Sequence, residues 1–202
     1  MVQNAEQQKP MIGYLLKRPE GLFGERGLAY DYVISRNGVF LEAQNPLIRA
    51  RIRVAHGEVR GLEPLTQRVQ LVGGLVPSYF LAMVLQTMCQ DIHREVYGAF
   101  IVNRHGQYQL TWPDQQRSGA SVSYEPVPNT VVDFHSHGAM GAHFSHTDDQ
   151  DDQGFRVSVV IGKLNEKSAE MNLRLGVYGY HAALSYPEVF TGPLPRGLDM
   201  VL

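Results

Sequence analysis

The chain has 202 residues, of which 44% are hydrophobic and 19% charged, as in a globular protein of one domain or of one domain with an extension. Its formal net charge of −2 gives no reason to expect strong attraction of the whole molecule to nucleic acid or to an anionic membrane. The single cysteine, Cys89, excludes an internal disulfide and any metal site built from several thiolates of one chain. Imidazoles and carboxylates would therefore have to hold any metal ion.

The N-terminal residues are polar and lack the charged-then-apolar order of a secretory signal. The most apolar run, residues 79–85, is too short to span a bilayer. We therefore expect a cytoplasmic protein without a membrane segment.

The first part of the chain is rich in strand signals. Residues 1–9 are expected to be disordered, and Asn37-Gly38 between two apolar runs predicts a β-hairpin. Residues 47–55 alternate between apolar and basic side chains, which predicts a half-buried strand. Its polar face carries three arginines, Arg49, Arg51 and Arg53. A further β-like run covers residues 69–76, and we predict a β-rich extension over residues 1–74.

The pattern then changes to that of an α/β domain, predicted over residues 75–190. Apolar residues at helical spacing after a proline predict a buried helix over residues 77–93. Residues 136–155 are rich in Gly, His and Asp and predict a loop with a short helix. Residues 191–202 are predicted as a surface tail. Strands are predicted at about 96–103, 107–112, 120–124, 130–135, 156–162 and 170–179.

The polar residues that carry chemistry follow the strand predicted at 130–135. His135 and His137 are two residues apart, so an extended chain presents both imidazoles on one side. If the loop returns Asp148 to the same point, two nitrogens and one carboxylate leave a fourth zinc position open, as in catalytic sites. Each element has a simpler explanation: two partly exposed histidines, and a helix-capping box formed by Ser145 and Asp148.

Taken together and in this order, the residues resemble a known signature. His135-Ser136-His137, followed after seven residues by Ser145 and after two more by Asp148, is similar to the motif of the JAMM (MPN-plus, JAB) zinc metalloproteases. Members of that family often have proline after the second histidine, where this chain has Gly138. A more mobile loop is the expected consequence, with no metal ligand lost.

The family also carries a glutamate upstream, at the start of the strand after its first helix. The segment Glu95-Val96-Tyr97-Gly98 occupies that place here, and the resemblance covers roughly residues 77–180. It implies a JAMM/MPN fold, which is cytidine-deaminase-like, with a curved mixed β-sheet flanked by helices. The metal is then expected at a strand end, beside the start of a short helix.

The resemblance also implies the role of each residue. His135, His137 and Asp148 would bind Zn²⁺. Glu95 would take a proton from the zinc-bound water and pass it to the leaving amine, and the Ser145 hydroxyl would donate a hydrogen bond to the oxyanion.

Five neighbouring residues have less certain roles. Asp149 competes with Asp148 as the third ligand, although the Ser-x-x-Asp spacing favours Asp148. His143 and His146 could be substrate contacts but are interpreted as polar loop residues. Asp133 either orients an imidazole or is an exposed strand-end carboxylate. Trp112 is interpreted as a core residue rather than a substrate platform.

For substrates, the resemblance implies hydrolysis of a peptide or isopeptide bond at the C-terminal tail of a ubiquitin-like, β-grasp protein. A ThiF-like, activating-enzyme-like partner is also implied. The stretch HSHGAMGAHFSHTD and the β-rich extension are most similar to the protein A subfamily of PRTRC gene sets.

Two alternatives belong to other functional classes. A catalytically silent MPN scaffold would only bind partners, but scaffolds usually lack part of the Glu, His, His, Ser, Asp set that is complete here. A plasmid-maintenance protein could bind nucleic acid through the three-arginine strand face, although the overall charge does not favour this.

Overall fold

The computed structural model describes residues 9–118, 122–151 and 153–201, without the side chain of Asp151. The tail predicted as disordered lies outside the described residues, except for Lys9. The described chain divides into two compact units, with the division between Gln70 and Leu71. Within the described residues, no helix has the length and hydropathy that crossing a bilayer requires.

The first unit is a six-stranded sheet with the strand order β2-β1-β3-β4-β5-β6. Strands β1 and β3 pair in parallel, and the other pairs of known register in this sheet are antiparallel. The six strands are β1 (Ile12–Arg18), β2 (Gly21–Glu25), β3 (Tyr30–Ser35), β4 (Gly38–Gln44), β5 (Ile48–Ala55) and β6 (Arg68–Leu71).

The predicted hairpin joins β3 to β4. Ser35 pairs with Gly38, so Arg36 and Asn37 form the turn rather than Asn37 and Gly38. The Asn37 amide exchanges two hydrogen bonds with the backbone of Leu65, which ties the turn to a distant loop. Gly38 has φ 135°, and a side chain there would meet the carbonyl of Ala55.

Strand β5, which carries the three arginines, alternates between buried apolar residues and more exposed arginines over most of its length, as predicted. On β5 the apolar residues Ile48 and Ile52 are fully buried, whereas Arg49 and Arg53 are exposed. Arg51 differs from its neighbours, because its guanidinium pairs with the Glu42 carboxylate on β4 at 2.5 Å. One of the three arginines is therefore neutralised within the sheet.

The second unit is built on a seven-stranded mixed sheet, in which β12 pairs in parallel with β13 and antiparallel with β8. The order is β15-β14-β13-β12-β8-β9, with β17 beside β14. Its strands are β8 (Tyr97–Val102), β9 (Tyr108–Thr111), β12 (Thr130–Ser136), β13 (Phe155–Gly162), β14 (Ala169–Val177), β15 (Tyr180–Ala183) and β17 (Leu198–Met200).

The remaining strands of this unit form two small pairs. One is a hairpin of β10 (Gln115–Arg117) and β11 (Val122–Tyr124), and the other pairs β7 (Val76–Pro77) with β16 (Phe190–Thr191). Its three described helices are α1 (Ser78–Met88), α2 (His146–Asp151) and α3 (Tyr186–Val189). A mixed sheet with few helices confirms the predicted α/β class, and α2 is the predicted short helix in the Gly/His/Asp-rich loop.

The helix predicted over residues 77–93 is shorter at both ends. Pro77 is the N-cap, with extended backbone angles, and the helix ends at Met88. The next amides, of Gln90 and Asp91, bond three residues back rather than four, which tightens the chain into turns. This early ending returns the chain to the sheet in time for β8.

Two other predictions were wrong in part. The β-like run over residues 69–76 is interrupted by a turn, because Gly74 has φ 83° and its amide bonds back to Leu71. The surface tail over residues 191–202 instead returns to the sheet: Leu198 pairs with Ala169 in β17 and is 2% exposed. Burial of that leucine gives the last segment a place in the core.

The core of this unit lies over the central strands, whose residues are buried on both faces. Phe134 on β12 contacts Phe100 on β8, with ring centroids 5.0 Å apart, and Trp112 packs edge-on against Phe134 at 5.3 Å. Trp112 is half-buried and belongs to this cluster, as the core interpretation expected. Gly98 makes room for the cluster, since a Cβ there would lie 2.5 Å from Phe134 Cζ and 2.8 Å from Trp112 Cε3.

We predict that Gly98→Ala lowers the free energy of unfolding by about 1–3 kcal/mol, because an added methyl group overpacks this cluster. The midpoint and slope of urea unfolding measure the change. Gly73→Ala is the control, since its Cβ would be 3.6 Å from the nearest atom, the Tyr108 hydroxyl oxygen, and should change stability by less than about 0.5 kcal/mol. Equal stability of Gly98→Ala and wild type would contradict the packing role of Gly98.

Candidate metal centre

The two histidines of the motif lie where β12 leaves the sheet. His135 pairs with Tyr97 on β8 and with Val160 on β13, so its backbone is held from both sides. His137 lies just beyond the strand, where its amide still donates to Ile161 O at 2.8 Å. Both imidazoles therefore extend from a backbone that the central sheet holds in place.

The residue after His137 turns the chain. Gly138 has φ 57°, and a side chain there would meet the carbonyl of Ile92. Proline, with φ near −65°, cannot adopt this conformation. Glycine at this position is therefore required by the turn, and the Gly138 carbonyl accepts a hydrogen bond from Leu164 N at 2.8 Å.

His135, His137 and Asp148 are brought together. One ligand atom from each lies within 4.8 Å of the others. The Nε2 atoms of the two imidazoles are 3.1 Å apart, and His135 Nε2 is 3.2 Å from Asp148 Oδ1. Ligands at about 2.0–2.1 Å in a tetrahedron are separated by roughly 3.3 Å, so these two spacings suit zinc.

The protonation states also suit a cation. Burial lowers the pKa of His137, and the charge of His135 lowers it further, which favours the neutral imidazole that binds metal. The Nδ1–H of His137 donates to Gly141 O at 3.2 Å, which leaves the Nε2 lone pair directed at the cluster. Burial tends to raise the pKa of Asp148, but hydrogen bonds from His135 and Ser145 outweigh it and hold that pKa well below its usual range.

Asp148 is placed by the capping box at the start of α2. Ser145 N donates to Asp148 Oδ2 at 2.6 Å, and Asp148 N donates to Ser145 Oγ at 3.2 Å. The cap engages Oδ2, while Oδ1 faces His135. The capping interpretation is therefore confirmed, and it is compatible with a ligand role, because the same carboxylate makes the cap and lies at the histidine cluster.

Glu95 lines a cavity together with His135, His137 and Asp148, and the next residue, Val96, is bonded to the middle residue of the His-Ser-His motif. Ser136 is fully buried and points away from the histidines; its Oγ accepts from Val96 N at 2.9 Å. In return Ser136 N donates to Val96 O at 3.0 Å. These two bonds extend the pairing of β8 with β12 by one residue and fix the backbone beside Glu95.

The hairpin of β10 and β11 holds the other side of this segment. Glu95 N donates to Ser118 O at 2.8 Å, and Arg117 Nε donates to Glu95 O at 2.9 Å. The Gln115 amide accepts from Tyr97 N and donates to Tyr97 O, at 2.9 and 3.0 Å. The backbone around Glu95 is thus bonded from two sides.

Glu95 is 8% exposed as a whole residue. Burial raises its pKa; the charge of His135 opposes this rise and that of Asp148 adds to it. A carboxyl group with a raised pKa in a cleft is a candidate for proton transfer.

The neighbours take clearer roles. Asp149 pairs with Arg174 and lies 3.9 Å from His181 Nδ1, and it does not join the cluster of His135 and His137, so it is not the third ligand in this arrangement. Asp133 is buried and pairs with Arg156, unlike an exposed strand-end carboxylate. His143 is exposed but its ring lies 5.3 Å from that of His137, and His146 contacts the Gln150 amide.

The sequence reasoning missed several residues that line this cavity: Tyr97, Val122, Tyr124, Phe144, Thr147, Arg156, Ser158 and Arg174. For Arg156 and Ser158 a signal existed, since they are polar residues two apart in an otherwise apolar strand, RVSVVIG. Arg174, 26 residues after Asp148 in the chain, carries no such local signal.

Comparison with known families identifies the class of the second unit. Residues 78–175 match the family described as prokaryotic homologs of the JAB domain. This segment is therefore a JAB/MPN domain, and the resemblance based on the His, Ser and Asp spacing is confirmed at that level. No curated protein matches the chain significantly.

We predict that the protein purified without added metal or chelator contains about one zinc per chain, and that the double variant His135→Ala/His137→Ala contains little, because two of three ligands are gone. Elemental analysis measures the content. His56→Ala/His105→Ala, which removes two exposed histidines, is the matched control. A wild-type protein that stays empty at neutral pH with zinc supplied would argue against a metal centre.

We also predict that Glu95→Gln stabilises the metal-free protein at neutral pH. The folded-state pKa of Glu95 is raised, so the ionised carboxylate costs stability above that pKa, and the cost disappears as pH falls toward the ordinary glutamate pKa of about 4.3. Urea midpoints between pH 5 and 8 should show a gain that shrinks as pH falls. A gain that is constant with pH would show that ionisation of Glu95 is not its cause.

Proposed function

We propose that this protein is a zinc-dependent metallopeptidase that hydrolyses a peptide or isopeptide bond, with the C-terminal tail of a ubiquitin-like protein as its substrate. The proposal rests on one observation: the candidate ligand cluster and a buried glutamate lie in the same cavity of about 290 Å³. The three ligand atoms lie within 4.8 Å of one another, and buried Glu95 lines the same cavity.

The donor set fits zinc, with two imidazoles and one carboxylate as the three protein ligands typical of a catalytic site. When bound, zinc polarises the scissile carbonyl and lowers the pKa of water to about 7. The rest of the chemistry belongs to the side chains of this chain.

Glu95 acts as the proton carrier. Its carboxylate accepts a proton from the attacking water and delivers it to the leaving amine nitrogen, so one group is a base first and an acid second. The raised pKa suits both steps, because a group that holds a proton more firmly than ordinary glutamate is a better base at neutral pH.

Ser145 supplies a hydrogen bond to the oxyanion. Its Oγ accepts from Asp148 N, so the hydroxyl proton is available for the substrate. A preorganised donor of this type stabilises the transition state by about 2.7–4 kcal/mol. Its backbone is held by the same capping box that places Asp148.

The shape of the cavity supports an extended substrate with small residues at the scissile bond. Tyr97 and Tyr124 stack with ring centroids 3.3 Å apart, and both line the cavity together with Phe144. Flat aromatic rings can pack against an extended chain of small residues, which supports a glycine-ended tail.

The scaffold alternative is less well supported. A protein that only binds partners gains nothing from burying Glu95 next to a ligand cluster, and burial of a carboxylate is unfavourable. The activating-enzyme-like partner, the PRTRC subfamily and the cytoplasmic location stay predictions of the resemblance and the composition.

We predict that Glu95→Gln retains zinc but loses peptide hydrolysis by at least about 100-fold, because the proton carrier is gone while the three ligands stay. Metal content and cleavage of a ubiquitin-like protein fused through its C-terminal glycine measure the two properties. Glu166→Gln removes an exposed carboxylate and should leave both unchanged. Wild-type cleavage by Glu95→Gln would show that another group carries the proton.

A further inference from the structure

The first unit contains a cleft of about 700 Å³ that the proposed reaction does not use. Its lining lies within residues 9–70, beside strands β3, β4, β5 and β6. Among the described residues, five basic and two acidic side chains line it, which gives a formal charge of +3. They are Lys9, Arg26, Arg49, Arg51 and Arg68, with Asp31 and Glu42. The lining of this basic cleft therefore favours an anion.

The two carboxylates of the basic cleft belong to a network of ion pairs. Asp31 on β3 lies in register with Glu42 on β4, which lies in register with Arg51 on β5. Arg51 Nη2 is 2.5 Å from Glu42 Oε1. Arg26 Nη1 is 2.6 Å from Asp31 Oδ2 and 3.6 Å from Glu42 Oε2. Two cations and two anions cancel here, so the network orders this part of the cleft without adding net charge.

The surplus of positive charge comes from the other three basic residues. Lys9, Arg49 and Arg68 are exposed, and they form no ion pair within the part of the chain that the structure describes. Gln44 and Gln70, which are also exposed, add amide groups to the same lining. Three cations without carboxylate partners are therefore available to a ligand.

The first unit as a whole is also basic. Residues 1–70 contain ten lysines and arginines and seven aspartates and glutamates, whereas residues 71–202 contain eight and thirteen. The formal charges of the two parts are therefore +3 and −5, which the net charge of −2 conceals. Because salt screens exposed charges beyond about 8–10 Å, a ligand of the cleft responds to the local positive charge rather than to the net charge.

We propose that the basic cleft binds a short acidic segment of a partner protein, with Lys9, Arg49 and Arg68 as the contacts to its carboxylates. Arginine matches carboxylate geometry with paired N–H donors, and lysine adds a compact charge with three donors. The inference does not depend on the proposed hydrolysis, since the lining of the basic cleft and that of the candidate metal centre share no residue.

A nucleic acid fits the basic cleft less well. Of the three arginines on β5, Arg51 pairs with Glu42, and Arg53 does not line the cleft. A phosphate backbone that followed β5 through the cleft would therefore meet one unpaired cation, Arg49, rather than three. The net charge of −2 also opposes the binding of a long polyanion to the molecule as a whole.

The test compares three probes of similar length on the full-length protein at low ionic strength. They are the capped peptide Gly-Gly-Glu-Glu-Glu-Gly-Gly, its counterpart with three glutamines, and a single DNA strand of about seven nucleotides, each with a neutral fluorophore. Fluorescence anisotropy should show the acidic peptide binding at least about tenfold tighter than the glutamine peptide, because three exposed ion pairs each contribute modestly. It should also bind tighter than the DNA strand.

Two matched variants assign this preference to the basic cleft. Arg49→Gln/Arg68→Gln removes two of the three unpaired cations and should reduce the preference below about threefold. Arg53→Gln/Arg60→Gln changes the net charge equally, at exposed arginines of the same unit that do not line the cleft, and should retain it. Circular dichroism checks folding, and Lys9→Gln/Arg49→Gln replaces the first variant if that one does not fold.

Four results would overturn the proposal. The two peptides might bind equally, or the DNA strand might bind tighter than the acidic peptide, which would assign the cleft to nucleic acid. A loss of preference in Arg53→Gln/Arg60→Gln would indicate a response to net charge alone. A preference that persists in Arg49→Gln/Arg68→Gln would place the carboxylates elsewhere, including at the candidate metal centre, whose ligands that variant leaves in place.

Discussion

The site depends on one short piece of pairing, the two hydrogen bonds between Ser136 and Val96. Strands β8 and β12 would otherwise separate after the pair of Tyr97 with His135. Ser136 extends the contact by replacing a backbone acceptor with its hydroxyl, and this holds the segment that carries Glu95 against the strand that carries the histidines. A buried hydroxyl with a satisfied bond keeps the two halves of the motif at a set distance, although they are 40 residues apart.

The capping box of α2 also contributes to the site, because one carboxylate makes two contacts. A carboxylate in a capping box and a carboxylate that binds a metal each need an oxygen in a defined direction. Asp148 meets both needs, with Oδ2 on the Ser145 amide and Oδ1 toward His135. The position of this candidate ligand is therefore coupled to the local stability of a short helix rather than to a free loop. A loop without such a cap would lose side-chain entropy on each binding event.

Around this centre, the buried charges divide into two groups with different purposes. Burial and the neighbouring His135 act on the pKa values of Glu95, His137 and Asp148, which are all shifted from their usual range. Arg156 and Arg174 instead pair with carboxylates beside the ligand cluster. The first group surrounds the candidate metal centre, and the second links neighbouring elements through ion pairs.

The sequence by itself determined the α/β class, the alternating arginine strand and the hairpin at Asn37, and it predicted the grouping of His135, His137 and Asp148. These follow from local rules, because two histidines on one side of a strand and a serine three residues before an aspartate have the same geometry in most contexts. The end of the first helix was predicted wrongly. The helical spacing of apolar residues continues past Met88, whereas the helical backbone ends there. Only cross-strand contacts could reveal that ending.

The Ser-x-x-Asp spacing favoured Asp148 over Asp149, but the tertiary structure decided which aspartate faces the histidines, because the contacts of Asp149 come from a distant strand. Arg174 forms an ion pair with Asp149, and that arginine lies on a strand 25 residues further along the chain. It also decided that Asp133, Ser158 and Arg174 form one row, since that row depends on the register of three strands. Spacing along a chain specifies side-chain direction, whereas register between strands specifies which distant side chains meet, and only the folded sheet contains that register.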